Sequence, residues 1–308
     1  MSQPNSRRQF LRQCAFASAG AAAWSATQSP LARAIEPIKR DGTSFFKFSL
    51  AAYSYRDLLQ AKNAKEKLTL EDFIDDCAKL GLQGTELTSY YFPENPTPDY
   101  LRSLRQRCFL LGLDVSGTAV GNDFCFPAGE KRDAELAHVK RWVDHAAILG
   151  APVIRIFSGH PHGTSVEEAH KLAVSAIEEC CQYAGQHGVM LALENHGGLT
   201  ETAAGLLALV RDVQSPWFGV NLDTGNFHSA DPYAELAQLA PYAVNVQVKV
   251  SMVPGGKKRE RADFSRLAQI VRDAGYRGYI VLEFEENEAP REACRRYVDE
   301  MRAAFTAK

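Results

Sequence analysis

Residues 189–198 read Val-Met-Leu-Ala-Leu-Glu194-Asn195-His196-Gly197-Gly198, and residues 217–226 read Trp-Phe-Gly-Val-Asn-Leu-Asp223-Thr-Gly-Asn226. Each is a short, mostly apolar run that delivers an acid and then breaks at glycine. Runs of this length suit strands covered on both faces, as in a parallel sheet. A helical stretch from about 202 to 211 separates them. Strand, acid, glycine turn, helix: this unit decides the fold when it is followed in both directions.

Upstream, residues 48–53, 84–87, 113–118 and 152–157 read as strands one to four, and 189–193 and 217–222 are strands five and six. Downstream, 243–250 and 279–284 supply strands seven and eight. Helix signals lie between them. Thr69-Leu-Glu-Asp72 and Ser165-Val-Glu-Glu168 are capping boxes, and Asp231-Pro232 is an N-cap followed by proline at the first helical position. Ala169, Leu172, Ala173, Ala176, Ile177 and Cys180 make one apolar helical stripe, which Gly188 ends. Eight such βα units from residue 46 onward predict an α/β fold, a single (β/α)8 TIM barrel. A doubly wound dinucleotide fold is disfavoured, because no Gly-x-Gly-x-x-Gly follows the first strand.

The first 34 residues read as a targeting segment instead. Ser6-Arg7-Arg8-Gln9-Phe10-Leu11-Arg12 looks like a twin-arginine signal, followed by a mild apolar stretch and an Ala32-Arg33-Ala34 cleavage site. Residues 35–308 are then the barrel, and the expected location is the periplasm. No run reaches the roughly 18 apolar residues of a membrane span. With 45% hydrophobic residues the chain has ample core, and a net charge of -2 without long basic stripes argues against nucleic acid. Lys257-Lys258-Arg259-Glu260-Arg261 is expected to be a solvated loop. The six cysteines beyond the signal show no CxxC spacing and read as small core residues.

Active sites of such barrels lie at the C-terminal strand ends. Read in order, strands five to eight deliver Glu194, Asp223, Gln247 with Lys249, and Glu283 with Glu285. Carboxylates buried side by side are costly unless a cation compensates them. Glu194, Asp223, Glu283 and the amide oxygen of Gln247 would form an all-oxygen site for one divalent metal ion, Mn2+ or Mg2+ in preference to Zn2+.

These motifs, Glu-Asn-His-Gly-Gly, Asn-Leu-Asp-Thr-Gly-Asn, Val-Gln-Val-Lys and the strand-eight Glu, resemble the xylose isomerase-like, or sugar phosphate isomerase/epimerase, superfamily over roughly residues 46–305. The resemblance implies metal ligands at Glu194, Asp223, Gln247 and Glu283. Many members carry His at the third position, so Gln247 is a departure, one shared with hydroxypyruvate isomerase-like members. It also implies that Glu194 and Glu283 act as acid/base catalysts, and it hints at a homo-oligomer.

The chemistry expected of this set is proton transfer next to a carbonyl through an enediolate, on a sugar or keto-sugar. Glu194 and Glu283 would remove and return the proton, while Lys249 is equally suited to neutralising a substrate oxyanion and to pairing with a nearby acid. Glu86, His160, His196 and Asn226 are candidate substrate contacts, with Glu86 equally able to pair with Arg155. Tyr53, Tyr90, Tyr91 and Trp217 offer aromatic surface of the kind that packs on sugar rings, and core packing explains them equally well. His160-Pro-His162 is read as substrate-facing or solvated, and His228 as a surface residue. Two other functions use the same site: a lyase, dehydratase or keto-glycoside-cleaving enzyme, or a non-catalytic sugar-binding barrel.

Overall fold

Alternation of side chains along each strand sorts this chain into two concentric layers. In β7 (Ala243–Lys249), Val246 and Val248 pack outward, whereas Asn245, Gln247 and Lys249 share the opposite, inward face. In β6 (Phe218–Asp223), Val220 and Leu222 face out while Asn221 and Asp223 face in. The apolar core is therefore the shell between strands and helices, and the barrel interior is unusually polar.

The computed structural model describes residues 36–63 and 65–307, all within one compact unit, Ala34–Lys308. The proposed signal segment lies outside the described residues. Strands β1 (Phe45–Ala51), β2 (Gly84–Thr88), β3 (Asp114–Ala119), β4 (Val153–Ile156), β5 (Met190–Glu194), β6, β7 and β8 (Arg277–Glu283) are joined in that order, and β8 closes on β1. Every barrel pairing is parallel. Helices α1 (Leu70–Lys79), α2 (Pro98–Leu110), α3 (Glu130–Leu149), α4 (Val166–Gln186), α5 (Ala203–Asp212), α6 (Pro232–Leu239), α7 (Phe264–Asp273) and α8 (Pro290–Thr306) follow the strands in turn. The predicted barrel is the observed one.

The helices start where their caps stand. Thr69 and Asp72 form a reciprocal capping box on α1, Ser165 accepts from Glu168 N on α4, and Asp231 accepts from Ala234 N on α6. Thr69→Ala removes one hydroxyl acceptor from a helix that buries Phe73 and Ile74 completely. It is expected to cost about 1 kcal/mol, read as a lower denaturant midpoint with an unchanged slope. An unshifted midpoint would show that the cap does not limit stability.

Two differences from the sequence reading are informative. The first strand begins and ends earlier than 48–53, because Ala52–Tyr55 turns into a 3-10 helix. That turn buries Tyr55 edge-on against Phe73, and Ser54 Oγ accepts from Phe284 N while donating to Leu282 O. Ser54 thus latches β1 to β8. Second, the loop after β7 carries structure of its own: Ser251–Met252 and Glu260–Arg261 form a short hairpin, while Lys257 to Arg261 are exposed, as expected of a solvated run. Arg259 within it reaches Glu286 Oε1 at 2.8 Å and Ser251 Oγ at 3.1 Å. The six cysteines are free and buried, as expected of core residues.

Candidate active site

The inward residues of β5 to β8 meet at the C-terminal mouth of the barrel. Register sets their heights: Glu194 lies beside Asn221, Asp223 beside Gln247, and Glu283 beside Lys249. All of them are at least nine-tenths buried. The structure therefore brings together the four expected ligands and Lys249. A cavity of about 100 Å3 at this mouth is lined by Asn226, Lys249, Arg259, Glu283, Glu285 and Glu286, among others.

Two internal cations share the acids. Lys249 Nζ stands 2.6 Å from Glu283 Oε2, 2.7 Å from Glu285 Oε1 and 3.4 Å from Asp223 Oδ2. Arg155, on β4, places Nε 2.8 Å from Glu194 Oε2, an ion pair by distance whose N–H is not aligned on the oxygen. Arg155 therefore pairs with Glu194, not with Glu86. Its Nη1 donates to Val120 O at 2.9 Å and its plane lies 4.0 Å over the Phe157 ring. Asn226 Nδ2 donates to Glu194 Oε1 at 2.9 Å, so this candidate substrate contact also holds a candidate ligand.

Glu86, on β2, lies below this layer and is 1% exposed. Gln247 Nε2 donates to Glu86 Oε1 at 2.6 Å, and Asn245 Nδ2 donates to Glu86 Oε2 at 3.0 Å. Asn221 Nδ2 donates to Gln247 Oε1 at 2.6 Å, and Asn245 Nδ2 donates also to Asn221 Oδ1 at 2.8 Å. Four side chains from β2, β6 and β7 thus close a ring of hydrogen bonds. Asn195 supplies a second clamp: its amide donates to Asp223 O and accepts from Asp223 N, both at 2.9 Å, fixing the end of β6.

Burial raises three of the four inward carboxyls, Glu86, Glu194 and Asp223. Burial, reinforced by the Glu283 charge, pushes Glu86 up to about 7 despite the two amides it accepts from. Glu194 is likewise pushed up to about 7, burial outweighing Arg155, and Asp223 rises for the same reason despite Lys249. Glu283 moves the other way: burial raises it, but the charge and hydrogen bond of Lys249, joined by the Arg155 charge and a hydrogen bond with Asp223, together hold it below its usual range. Lys249 itself is held well above its usual range, the three acids around it overcoming its burial.

The donor chemistry suits a hard divalent cation. Oxygen donors stand on consecutive strand ends, and Asp223 Oδ2 is buried without any hydrogen-bond partner. Among the described residues no three acids, histidines or cysteines already stand in a metal-holding arrangement. The ammonium of Lys249 lies on two of the candidate ligands.

The remaining candidates are placed around the rim. His196 is exposed and packs its ring 4.5 Å from that of Phe157. His160 is exposed beside the Gly197–Gly198 turn, its backbone N–H donating to Asp123 Oδ2 at 3.2 Å. His162 Nε2 lies 2.9 Å from the same oxygen and its ring stacks on Phe126 at 4.0 Å. Gly159, at φ 95°, has no Cβ to obstruct Asp123, which is why Asp123 can tie this loop. His228 is exposed, as expected. Tyr53 packs edge-on to Tyr90, and Tyr90 to Tyr91, beside the mouth. Trp217 does not belong with them. It immediately precedes β6 at the opposite end of the barrel, where it packs against Gly185 of α4.

Sequence reasoning missed Asn221, Asn245, Asn195, Asp123 and Arg259. Asn221 and Asn245 were legible: each lies two residues before a site residue, hence on the same strand face. Asp123 and Arg259 lie in loops and carry no such signal.

The profile of the xylose isomerase-like TIM barrel family matches residues 74–303. The chain belongs to that family. Several solved structures share its fold at low identity. D-psicose 3-epimerase with D-tagatose from Clostridium cellulolyticum H10 superposes with a TM-score of 0.70 at 16% identity, over 85% of this chain and 100% of that one. The 3-keto-D-glucoside 4-epimerase of E. coli gives 0.67 at 17% identity, over 84% and 99%. The probable 3-DHS dehydratase AsbF from Bacillus anthracis gives 0.62 at 18% identity, over 85% and 99%. No curated protein matches the chain.

Proposed function

We propose that this xylose isomerase-like barrel is a divalent-metal-dependent isomerase or epimerase of unphosphorylated sugars or keto-sugars. One observation carries the reading: Glu194, Asp223, Gln247 and Glu283 converge at the barrel mouth, with Asp223 Oδ2 buried and without a hydrogen bond, its near neighbour the Lys249 ammonium at 3.4 Å. The epimerases that share the fold act on ketoses or keto-sugars by their names, which supports the same substrate class here. The twin-arginine motif supports export to the periplasm, where sugar phosphates are atypical substrates. Among the described residues no helix is long and apolar enough to cross a membrane.

Glu194, Asp223, Glu283 and the Gln247 oxygen would hold Mn2+ or Mg2+, which when bound supplies Lewis-acid polarisation of a substrate carbonyl. The protein's own side chains do the rest. Glu283 and Glu194 stand on β8 and β5 and exchange the proton at the carbon next to the carbonyl, giving and consuming an enediolate. Asn226 holds Glu194 in place for this, and Lys249 presents an ammonium to a developing oxyanion. Arg259 of the hairpin lines the same cavity.

A second reading, elimination, has an observation in its favour. Lys249 is a buried ammonium at the mouth, suited to stabilising the negative charge of an oxygen that departs from the carbon beyond the enediolate, and a dehydratase shares the fold. One experiment separates the two. The chain is incubated in D2O with Mn2+ and a panel of sugars and keto-sugars, and NMR follows deuterium uptake. Uptake at a carbonyl-adjacent carbon with the skeleton intact is the expected result. Loss of water or an aglycone selects elimination, and no exchange in the presence of bound metal sinks the isomerase reading.

A further inference from the structure

The place where a divalent ion would sit is already contested by a side chain of the protein. Lys249 Nζ lies 2.6 Å from Glu283 Oε2 and 3.4 Å from Asp223 Oδ2, both candidate ligands. Its third contact, Glu285 Oε1 at 2.7 Å, is not a candidate ligand and its side chain is 33% exposed. The Lys249 stem is closely hemmed in at its base. Its backbone N–H is fixed to Thr224 Oγ1 at 2.9 Å, and Gly225 packs so closely that a Cβ there would stand 2.5 Å from Lys249 Cγ. Only the end of the side chain can move, and Glu285 is the acid on its solvent side.

We propose that Lys249 is a built-in competitor of the metal, occupying Glu283 and Asp223 in the metal-free protein and yielding them by shifting its ammonium onto Glu285. This rests on the metal reading above. A dication and an ammonium that share carboxylate oxygens repel each other strongly in a buried site, so the two states exclude one another. Glu285 then acts as the positioning residue of the exchange. Without it the displaced ammonium has no partner, and metal binding must strand a buried charge. Lys249 and Glu285 together set how much metal the site demands before it loads.

The test is a double-mutant cycle on the full chain, with Mn2+ alone as probe and calorimetric affinity as readout. Lys249→Met is expected to tighten Mn2+ binding at least about tenfold, on the scale of coupling between close charge pairs. Glu285→Gln is expected to weaken it by about the same factor in the native background, and less than about twofold in the Lys249→Met background. Removing Lys249 leaves buried acids unpaired, so Lys249→Gln, which still donates a hydrogen bond, provides a second route to the same comparison. It too should bind more tightly than the native chain. Unchanged affinity on loss of Lys249 would overturn the proposal. So would a Glu285→Gln effect of equal size in both backgrounds, since that is only a change in the general field. Failure of both the native chain and the Lys249 variants to bind Mn2+ would overturn the metal reading itself and this proposal with it. Binding by the native chain with purely additive variants would overturn this proposal alone.

Discussion

Glu283→Gln is expected to lower the rate of deuterium uptake from solvent by roughly 10²–10⁴-fold, the scale of a lost general acid–base catalyst. The carboxylate ends β8, is 5% exposed and is anchored by Lys249 at 2.6 Å. An amide of the same shape keeps the volume but cannot accept a proton from carbon. The fold should survive, because Lys249 keeps Glu285 and Asp223 as partners. The measurement is exchange at saturating substrate by NMR, with circular dichroism as the control for folding. Exchange at the native rate in a folded Glu283→Gln chain would remove Glu283 from the proton path and leave Glu194 as the lone candidate.

Glu86→Gln is expected to destabilise the protein by about 1–3 kcal/mol, although it changes one atom and removes a buried charge. The reason is the topology of the ring. Asn245 offers the same nitrogen to both of its neighbours, Glu86 and Asn221, so both must present oxygen to it. Asn221 and Gln247 each pass the pattern on, oxygen at one end and nitrogen at the other. The ring closes only if residue 86 accepts at both ends, which a carboxylate does and an amide does not. Whichever way the amides of the Glu86→Gln variant are flipped, one link faces like against like in a buried place. Chemical denaturation at neutral pH gives the cost. No loss of stability would mean that the ring relaxes freely, contrary to the burial of all four members. The same logic opposes the upward push on Glu86 from burial and Glu283, since a protonated carboxyl also fails to accept at both ends.

That ring marks the boundary between what was legible and what was not. The repeated βα unit, its caps and its glycine stops were readable because they are local: period-two and period-3.6 patterns, N-cap hydroxyls and acids, and breaks at glycine. The acids at the strand ends were readable because a parallel barrel must place strand C-termini on one face. Lys249, two residues after Gln247, was correctly assigned to the same face for the same reason. Trp217 suited a sugar ring or the core equally by residue type, and the structure gives it to the core. Its position just ahead of β6, the end away from the acids, already held the answer.

What the sequence could not determine is which polar groups meet across the barrel. From the sequence Arg155 is a possible partner of Glu86, and the structure pairs it with Glu194 instead. That choice depends on strand heights after closure, including register shifts between Thr85 and Glu86 in the β2–β3 pairing and between Val220 and Asn221 in the β6–β7 pairing. Each shift changes the level at which the inward side chains stand, and neither leaves a mark in the residue pattern. Loop residues such as Asp123 and Arg259 depend on long-range closure in the same way. The sequence by itself determined the barrel, the face on which its chemistry lies and the acids that face delivers. Only the tertiary structure decided their pairing, because a contact between distant strands is set by closure of the whole sheet, to which every local segment is blind.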